Sequence, residues 1–313
     1  MASLTNKKCL IGPSVSIKEG PFTAVRYSHY LGGNVSQFYL GSNQSSKMEG
    51  KSKKFTAEEI VKTKKFCKIH NHHIMVHGVL AMNLSAKPNS IKYIHQNVAY
   101  DLNIVEQIGG IGVVLHLGKQ LDGQSREEAY KNMAVNVERI LDLAEKNAPH
   151  TKIILETGAG NKKGSQIATT LEEFAELWNL IPKTYHKRLG ICVDTAHIFT
   201  AGYDIRSING VKSFFKLFDK LLGMKNLVCL HINDSKAEYN SKVDRHFGIN
   251  EGYIFNKEKG GSMDALYEIY KIATEHQIPM ALETHKSGFA DNEEDAGQYG
   301  QEVQLFRKWD IEV

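Results

Sequence analysis

The chain has 313 residues, with 39 Lys and Arg against 35 Asp and Glu, a formal net charge of +4 and 42% hydrophobic residues. That hydrophobic share can fill a large core, and the mild basicity is not that of an obligate polyanion binder. No apolar run approaches the ~18 residues of a membrane span, and the N-terminus MASLTNKKCLIG lacks the apolar stretch of a secretory signal. A soluble, intracellular protein, cytoplasmic or nuclear, with no membrane partner is expected, and a viral origin stays open. The four cysteines, Cys9, Cys67, Cys192 and Cys229, contain no C-x-x-C pair, so no disulfide framework is expected.

Strand-like and helix-like segments alternate along the chain. Cys9–Gly12 (CLIG) reads as a strand and Ile17–Leu31 as a helix; Val35–Tyr39 (VSQFY) and Thr56–His70 repeat the pair. His73–His77 (HIMVH) precedes a helix over Ser90–Ile108, and Gly112–His116 (GVVLH) precedes one over Arg126–Asn147. Ser125 followed by Glu128 marks a capping box at the start of that fourth helix. Lys152–Glu156 (KIILE), Gly190–Asp194 (GICVD), Leu227–His231 (LVCLH) and Met280–Glu283 (MALE) complete the strands. Helical spacing over Leu171–Ile181, Ile208–Leu222, Met263–His276 and about Asp295–Trp309 completes the helices. Short aliphatic strands suit a sheet covered on both faces. Eight alternations favour an α/β fold, a single closed (β/α)8 TIM barrel, over a doubly wound open sheet. One domain over residues 1–313 is expected, with a short N-terminal extension (1–8) and a C-terminal helix. The long loops Gly41–Lys54, Asn161–Thr170 and Asn233–Gly261 all follow strands, which places them on the catalytic face of such a barrel.

The last six strands end in His77, His116, Glu156, Asp194, His231 and Glu283. One histidine at a strand end is usually a hydrogen-bonded core or rim residue, and a buried carboxylate can pair with a base. Six donors at one end of successive parallel strands converge on the barrel mouth. Two further pairs lie close in sequence: Asp194-x-x-His197, which could equally cap a loop, and Asp244-x-His246. Nitrogen and oxygen donors without thiolate suit Zn²⁺ or Mn²⁺ in a catalytic site. Nine donors, at three or four per ion, hold two or three ions. Such a cluster suits phosphodiester hydrolysis, where metal ions lower the pKa of water and neutralise phosphoryl oxygens. The other nine histidines, among them His70, His95, His150 and His186, read as solvated, as does the acidic run Asn292–Asp295.

The strings IGPSVSIKEG (Ile11–Gly20), LETGAGNKKG (Leu155–Gly164), GICVDTAHIFTAGYDIR (Gly190–Arg206), LHINDSKAEYNSKVDRHFGINEG (Leu230–Gly252) and ALET (Ala281–Thr284) resemble the endonuclease IV family of abasic-site endonucleases. The resemblance runs from about Cys9 to Trp309. It implies three zinc ions in a (β/α)8 barrel, with Mn²⁺ open at one site. Glu156 would bridge two ions, His77 and His116 would complete the first, and Asp194, His231 and Glu283 the second. His197, Asp244 and His246 would hold the third. The implied substrate is duplex DNA containing an abasic site, bound by a monomer that flips the abasic sugar into the pocket. Cleavage 5′ to the lesion would leave a 3′-hydroxyl and a 5′-deoxyribose phosphate, with Glu156 or Glu283 orienting the nucleophile.

Several positions depart from the family pattern. Ser14 stands where the first strand's motif has His, which is expected to alter hydrogen bonding behind the ligands. Ser45 replaces a DNA-stacking Arg, and Leu80 and Ala81 take the place of Tyr and Leu wedges. Lys47, Lys51, Lys53 and Lys54 could offset lost contacts through phosphate charge, or form a solvated loop. Two alternatives share the barrel: a metal-dependent sugar isomerase or epimerase, and a non-catalytic DNA-binding relative.

Overall fold

The computed structural model describes residues 7–41, 54–284 and 293–312. Ser45, Lys47, Lys51 and Lys53 lie outside the described residues.

Eight parallel strands form one sheet: β1 (Ile11–Pro13), β2 (Val35–Phe38), β3 (His73–His77), β4 (Gly112–His116), β5 (Lys152–Glu156), β6 (Leu189–Asp194), β7 (Leu227–Ile232) and, after a two-stranded ribbon, β10 (Met280–Leu282). The hydrogen-bonded order is β1-β10-β7-β6-β5-β4-β3-β2. The two ends of that order meet. Asn34 N donates to Ile11 O at 2.9 Å and Val15 N to Gln37 O at 2.8 Å, and Ser14 bridges Gln37. Gly12 permits the approach, because a Cβ there would sit 1.8 Å from the Val35 carbonyl oxygen. The sheet is therefore a barrel, as the eight alternations predict.

Helices α1 (Pro21–Tyr30), α2 (Ala57–His70), α3 (Lys92–Ile108), α4 (Arg126–Ala144), α5 (Leu171–Leu180), α6 (Thr195–Ala201), α7 (Ile208–Leu221), α8 (Met263–His276) and α9 (Glu293–Glu312) complete the fold. Side-chain caps fix several of their starts. Thr56, Ser125, Thr170, Ser207 and Ser262 each accept a backbone N–H of the first turn. α1 begins four residues later than its apolar spacing predicts. Gly20 has φ of +95°, outside the helical region, and Pro21 supplies a first helical residue that needs no N–H partner. The sequence gives no sign of α6, nor of the ribbon β8 (Asp234–Ser235) and β9 (His246–Phe247) inside the long seventh loop.

The core has two parts. Leu10, Val35, Met75, Val114, Ile154, Cys192, Cys229 and Ala281 fill the barrel interior. A larger cluster packs the helices against the outer face of the sheet. All four cysteines are free and buried. No helix among the described residues is long and apolar enough to cross a membrane.

The reading of the remaining histidines as solvated needs correction. His70 and His150 are exposed, but His95 is buried and its Nε2 lies 2.7 Å from Asn136 Oδ1. His186 is half-buried and donates Nε2–H to the Ile181 carbonyl. His72, at the closed end of the barrel, sits 2.7 Å from Ser36 Oγ, and burial pushes its pKa down to about 3. An amphipathic helix buries one face whatever polar residue falls there, provided a partner is in reach.

Candidate metal centre

The site follows from strand periodicity. Side chains two residues apart on a strand share a face. Counting two residues on from each member of the apolar interior layer gives Gly12, Gln37, His77, His116, Glu156, Asp194, His231 and Glu283. Six of those eight are the strand-end donors expected from sequence. Parallel register sets them side by side: His116 opposite Glu156, and Asp194 opposite His231. Potential ligand atoms of His77, His116 and Glu156 all lie within 4.8 Å of one another, as do those of Glu156, Asp194, His231 and Glu283.

The remaining three donors come from α6 and the ribbon. Asp194 is the N-cap of α6, its Oδ1 accepting His197 N at 3.0 Å. It therefore both caps the helix and turns its other oxygen to the site, where Oδ2 lies 3.6 Å from His246 Nε2 and 3.7 Å from His231 Nδ1. The ribbon brings His246 over the mouth, and Asp244 reaches in from the exposed rim. Asp244 Oδ2 lies 3.2 Å from His197 Nε2, and its Oδ1 lies 3.3 Å from His246 Nε2. Asp194, His197 and His246 form a third compact group.

Backbone carbonyls orient three imidazoles. His77 Nδ1 bonds Gly78 O at 2.7 Å, His197 Nδ1 bonds Thr157 O at 2.8 Å, and His246 Nδ1 bonds Glu283 O at 3.2 Å. A carbonyl only accepts, so each Nδ1 carries the proton and each Nε2 faces the cluster. His231 is reversed: its Nε2 lies 2.8 Å from Gln37 Oε1, and its Nδ1 lies 2.8 Å from Glu156 Oε1 and 3.2 Å from Glu283 Oε2.

The charges are strongly coupled. Burial opposes ionisation of Glu156, yet His116 and His231 outweigh it and hold the carboxylate well below its ordinary range. Burial likewise opposes charge on His231, but Glu283 and Glu156 push that imidazole up to about 10. His246 is pushed up to about 9 by Asp194 and Asp244 against the same burial. Glu156 Oε2, His197 Nε2 and His246 Nε2 are buried and make no well-aligned hydrogen bond, meeting only other donors at 3.0, 3.2 and 3.3 Å. Unpaired polar atoms this deep are costly unless a cation meets them. These three atoms belong to the donor set and lie against its other members, so these residues fit divalent metal ions.

Sequence reasoning missed the residues that hold the donors. Asn233, fully buried, donates Nδ2–H to Asp194 Oδ2 at 2.6 Å and accepts Glu283 N at 2.9 Å. Thr157 Oγ1 accepts Asp194 N, and Thr195 Oγ1 exchanges hydrogen bonds with Asn233. Gln37 sits beside Ser36 inside the short strand VSQF and carries no ligand type to mark it. The only sequence signal was position: each lies within two residues of a donor or on its strand layer. Ser14 is buried and its Oγ makes no hydrogen bond. Leu80 and Ala81 are exposed on a turn three residues beyond His77.

An α/β barrel with a ring of histidines and carboxylates at its mouth defines the class. The family model described as xylose isomerase-like TIM barrel matches residues 27–259. That description alone does not separate a sugar isomerase from a nuclease. Named relatives do. The chain is 32% identical over 305 residues to an endonuclease 4 of Acanthamoeba polyphaga mimivirus, covering 96% of this chain and 93% of that protein. It is 33% identical over 261 residues to apurinic-apyrimidinic endonuclease 1 of Saccharomyces cerevisiae, covering 81% of this chain and 64% of that one. The crystal structure of endonuclease IV from Thermus thermophilus superposes with a TM-score of 0.75 at 22% identity, covering 98% of this chain and all of the other. The protein belongs to the xylose isomerase-like TIM-barrel family and, within it, to the endonuclease IV family.

Proposed function

We propose that this protein is a zinc-dependent abasic-site endonuclease. It hydrolyses the phosphodiester 5′ to an abasic site in duplex DNA and leaves a 3′-hydroxyl and a 5′-deoxyribose phosphate. The observation that carries the reading is the convergence of nine nitrogen and oxygen donors on one cluster, three of them with a buried atom that makes no well-aligned hydrogen bond. Three ions divide the donors. His77, His116 and Glu156 hold one; Glu156, Asp194, His231 and Glu283 a second; His197, Asp244 and His246 a third. Mn²⁺ could replace zinc at one of them. When bound, such ions supply an activated water near neutral pH and neutralise charge on the phosphoryl oxygens.

The chain's own residues do the rest. Glu156 faces His231 with Oε1 and His116 and His77 with Oε2, which is the arrangement of a carboxylate shared between two sites. Glu283, pinned through both oxygens and its backbone N–H, is held where it can orient a nucleophile. Leu80 and Ala81 stand on the turn that meets the DNA gap left by the missing base. Extrusion of an abasic sugar loses no base stacking, so a small wedge suffices. The protein acts as a monomer.

The test is strand cleavage of a duplex with one stable abasic analogue, in magnesium-free buffer, beside an undamaged duplex. Incision at the lesion alone, giving an end that a polymerase extends, is expected. No cleavage by the zinc-loaded protein refutes the reading.

A further inference from the structure

The eighth-layer position on β2 is neither glycine nor a metal ligand type. Gln37 lies in the same layer as the donors, fully buried, between Glu283 and His231. Its Nε2 donates to Glu283 Oε1 at 2.6 Å, and its Oε1 meets His231 Nε2 at 2.8 Å. The carboxylate can only accept, so the amide nitrogen must face Glu283. The amide oxygen is then left for His231, and an oxygen only accepts. His231 Nε2 therefore carries a proton, and Nδ1, which meets the Glu156 carboxylate, is the nitrogen that would give up its proton to bind a cation. Nδ1 is also the nitrogen turned toward Glu156, Glu283 and Asp194, at 2.8, 3.2 and 3.7 Å.

We infer that Gln37 is a positioning residue of the metal centre: its amide fixes the tautomer of His231 and the rotamer of Glu283 at once, so that one side chain presets two donors of the same ion. The inference rests on the metal reading of the site given above. The three other oriented histidines use backbone carbonyls for the same purpose. His231 cannot, because it is reversed, and the carbonyls of β2 and β10 are engaged in closing the barrel. A side-chain amide is the remaining group with a donor and an acceptor in one plane. Such supporting partners typically contribute 10–100-fold to metal affinity.

The experiment compares the wild-type protein with Gln37→Met, which keeps the length and removes both polar atoms. Each is stripped of metal, checked for folding by melting, and titrated with Zn²⁺ against a chromophoric chelator. The variant is expected to lose about 10–100-fold in its affected zinc affinity, and to lower kcat for incision with little change in KM for the abasic duplex. Equal chelator competition by the two folded proteins overturns the inference while leaving the metal reading intact. A wild-type protein that takes up no zinc sinks the metal reading itself. Nitrogen-15 NMR of the zinc-loaded wild type tests the same point without a variant. His231 is expected to retain a slowly exchanging Nε2–H, in contrast to His77, His197 and His246, which retain Nδ1–H. An Nδ1–H signal from His231 refutes the assignment whether or not Gln37→Met folds.

Discussion

Glu156→Gln separates binding from cleavage. The wild-type carboxylate is buried with Oε1 2.8 Å from His231 Nδ1 and Oε2 3.0 Å from His116 Nε2, and His77 and His197 lie 3.4 and 3.5 Å away. The amide preserves shape and removes the one negative charge that these four imidazoles share. Loss of one partner from a buried charged contact costs about 3–5 kcal/mol. At about 1.4 kcal/mol per decade, that is about 10²–10⁴-fold in cation affinity. The DNA-facing turn at Leu80 and Ala81 is untouched. Anisotropy with an abasic duplex should therefore report near wild-type affinity, while incision at limiting zinc falls by about two to four decades. Normal turnover together with normal zinc competition would refute the bridging role.

The site's charges also set the stability of the metal-free protein. His231 and His246 have pKa values raised from 6.5 to about 10 and about 9. Their contribution is full below about 6.5 and is lost as pH climbs through about 9 to 10. A melting temperature that stays flat across that window would count against the ion-pair network. Zinc uptake should release protons and strengthen as pH rises over the same range, which a pH-stat titration reads. Asn233→Ala strands Asp194 Oδ2 and Glu283 N. It should destabilise the protein by about 1–3 kcal/mol in urea and weaken zinc binding; unchanged zinc competition would show that Asn233 is merely structural. Arg188 is buried at the opposite end of the barrel, donating to the carbonyls of Leu141, Ala148 and Thr151. Arg188→Met should cost about 1–3 kcal/mol of stability yet leave kcat/KM per folded molecule intact; a catalytic defect there would contradict the division of the barrel into a binding end and a structural end.

The barrel strands and the donors at their ends were legible because both are written in local pattern. A buried parallel strand is a short aliphatic run, and a His or carboxylate closing it stands out. α6 was not legible, because a seven-residue helix shows too little periodicity, and its cap, Asp194, had already been read as a donor. The β8–β9 ribbon was hidden for a different reason. Its two-residue strands are eleven residues apart and too short to show alternation, and pairing at that distance leaves no local mark. Gln37 and Asn233 escaped because their importance lies in what they touch across the barrel. Gln37 reaches partners 194 and 246 residues away in sequence.

The same geometry explains why the site tolerates little rearrangement. The apolar layer and the donor layer are consecutive rungs of one alternation, so filling the barrel and aiming the donors are a single act of register. A one-residue slip of β7 would turn Cys229 and His231 out of the barrel together. Register on β6 to β7 already shifts between Ile191 and Cys192, just below Asp194. Such irregularities re-aim side chains near active sites, and here the corrected pairing sets Asp194 beside His231. The donors are thus fixed first by the packing beneath them and then by amide, hydroxyl and carbonyl groups around them. Substitutions in the apolar layer, such as Cys229→Ala, should therefore perturb zinc affinity as well as stability, whereas equal cavities cut between helices should perturb stability alone.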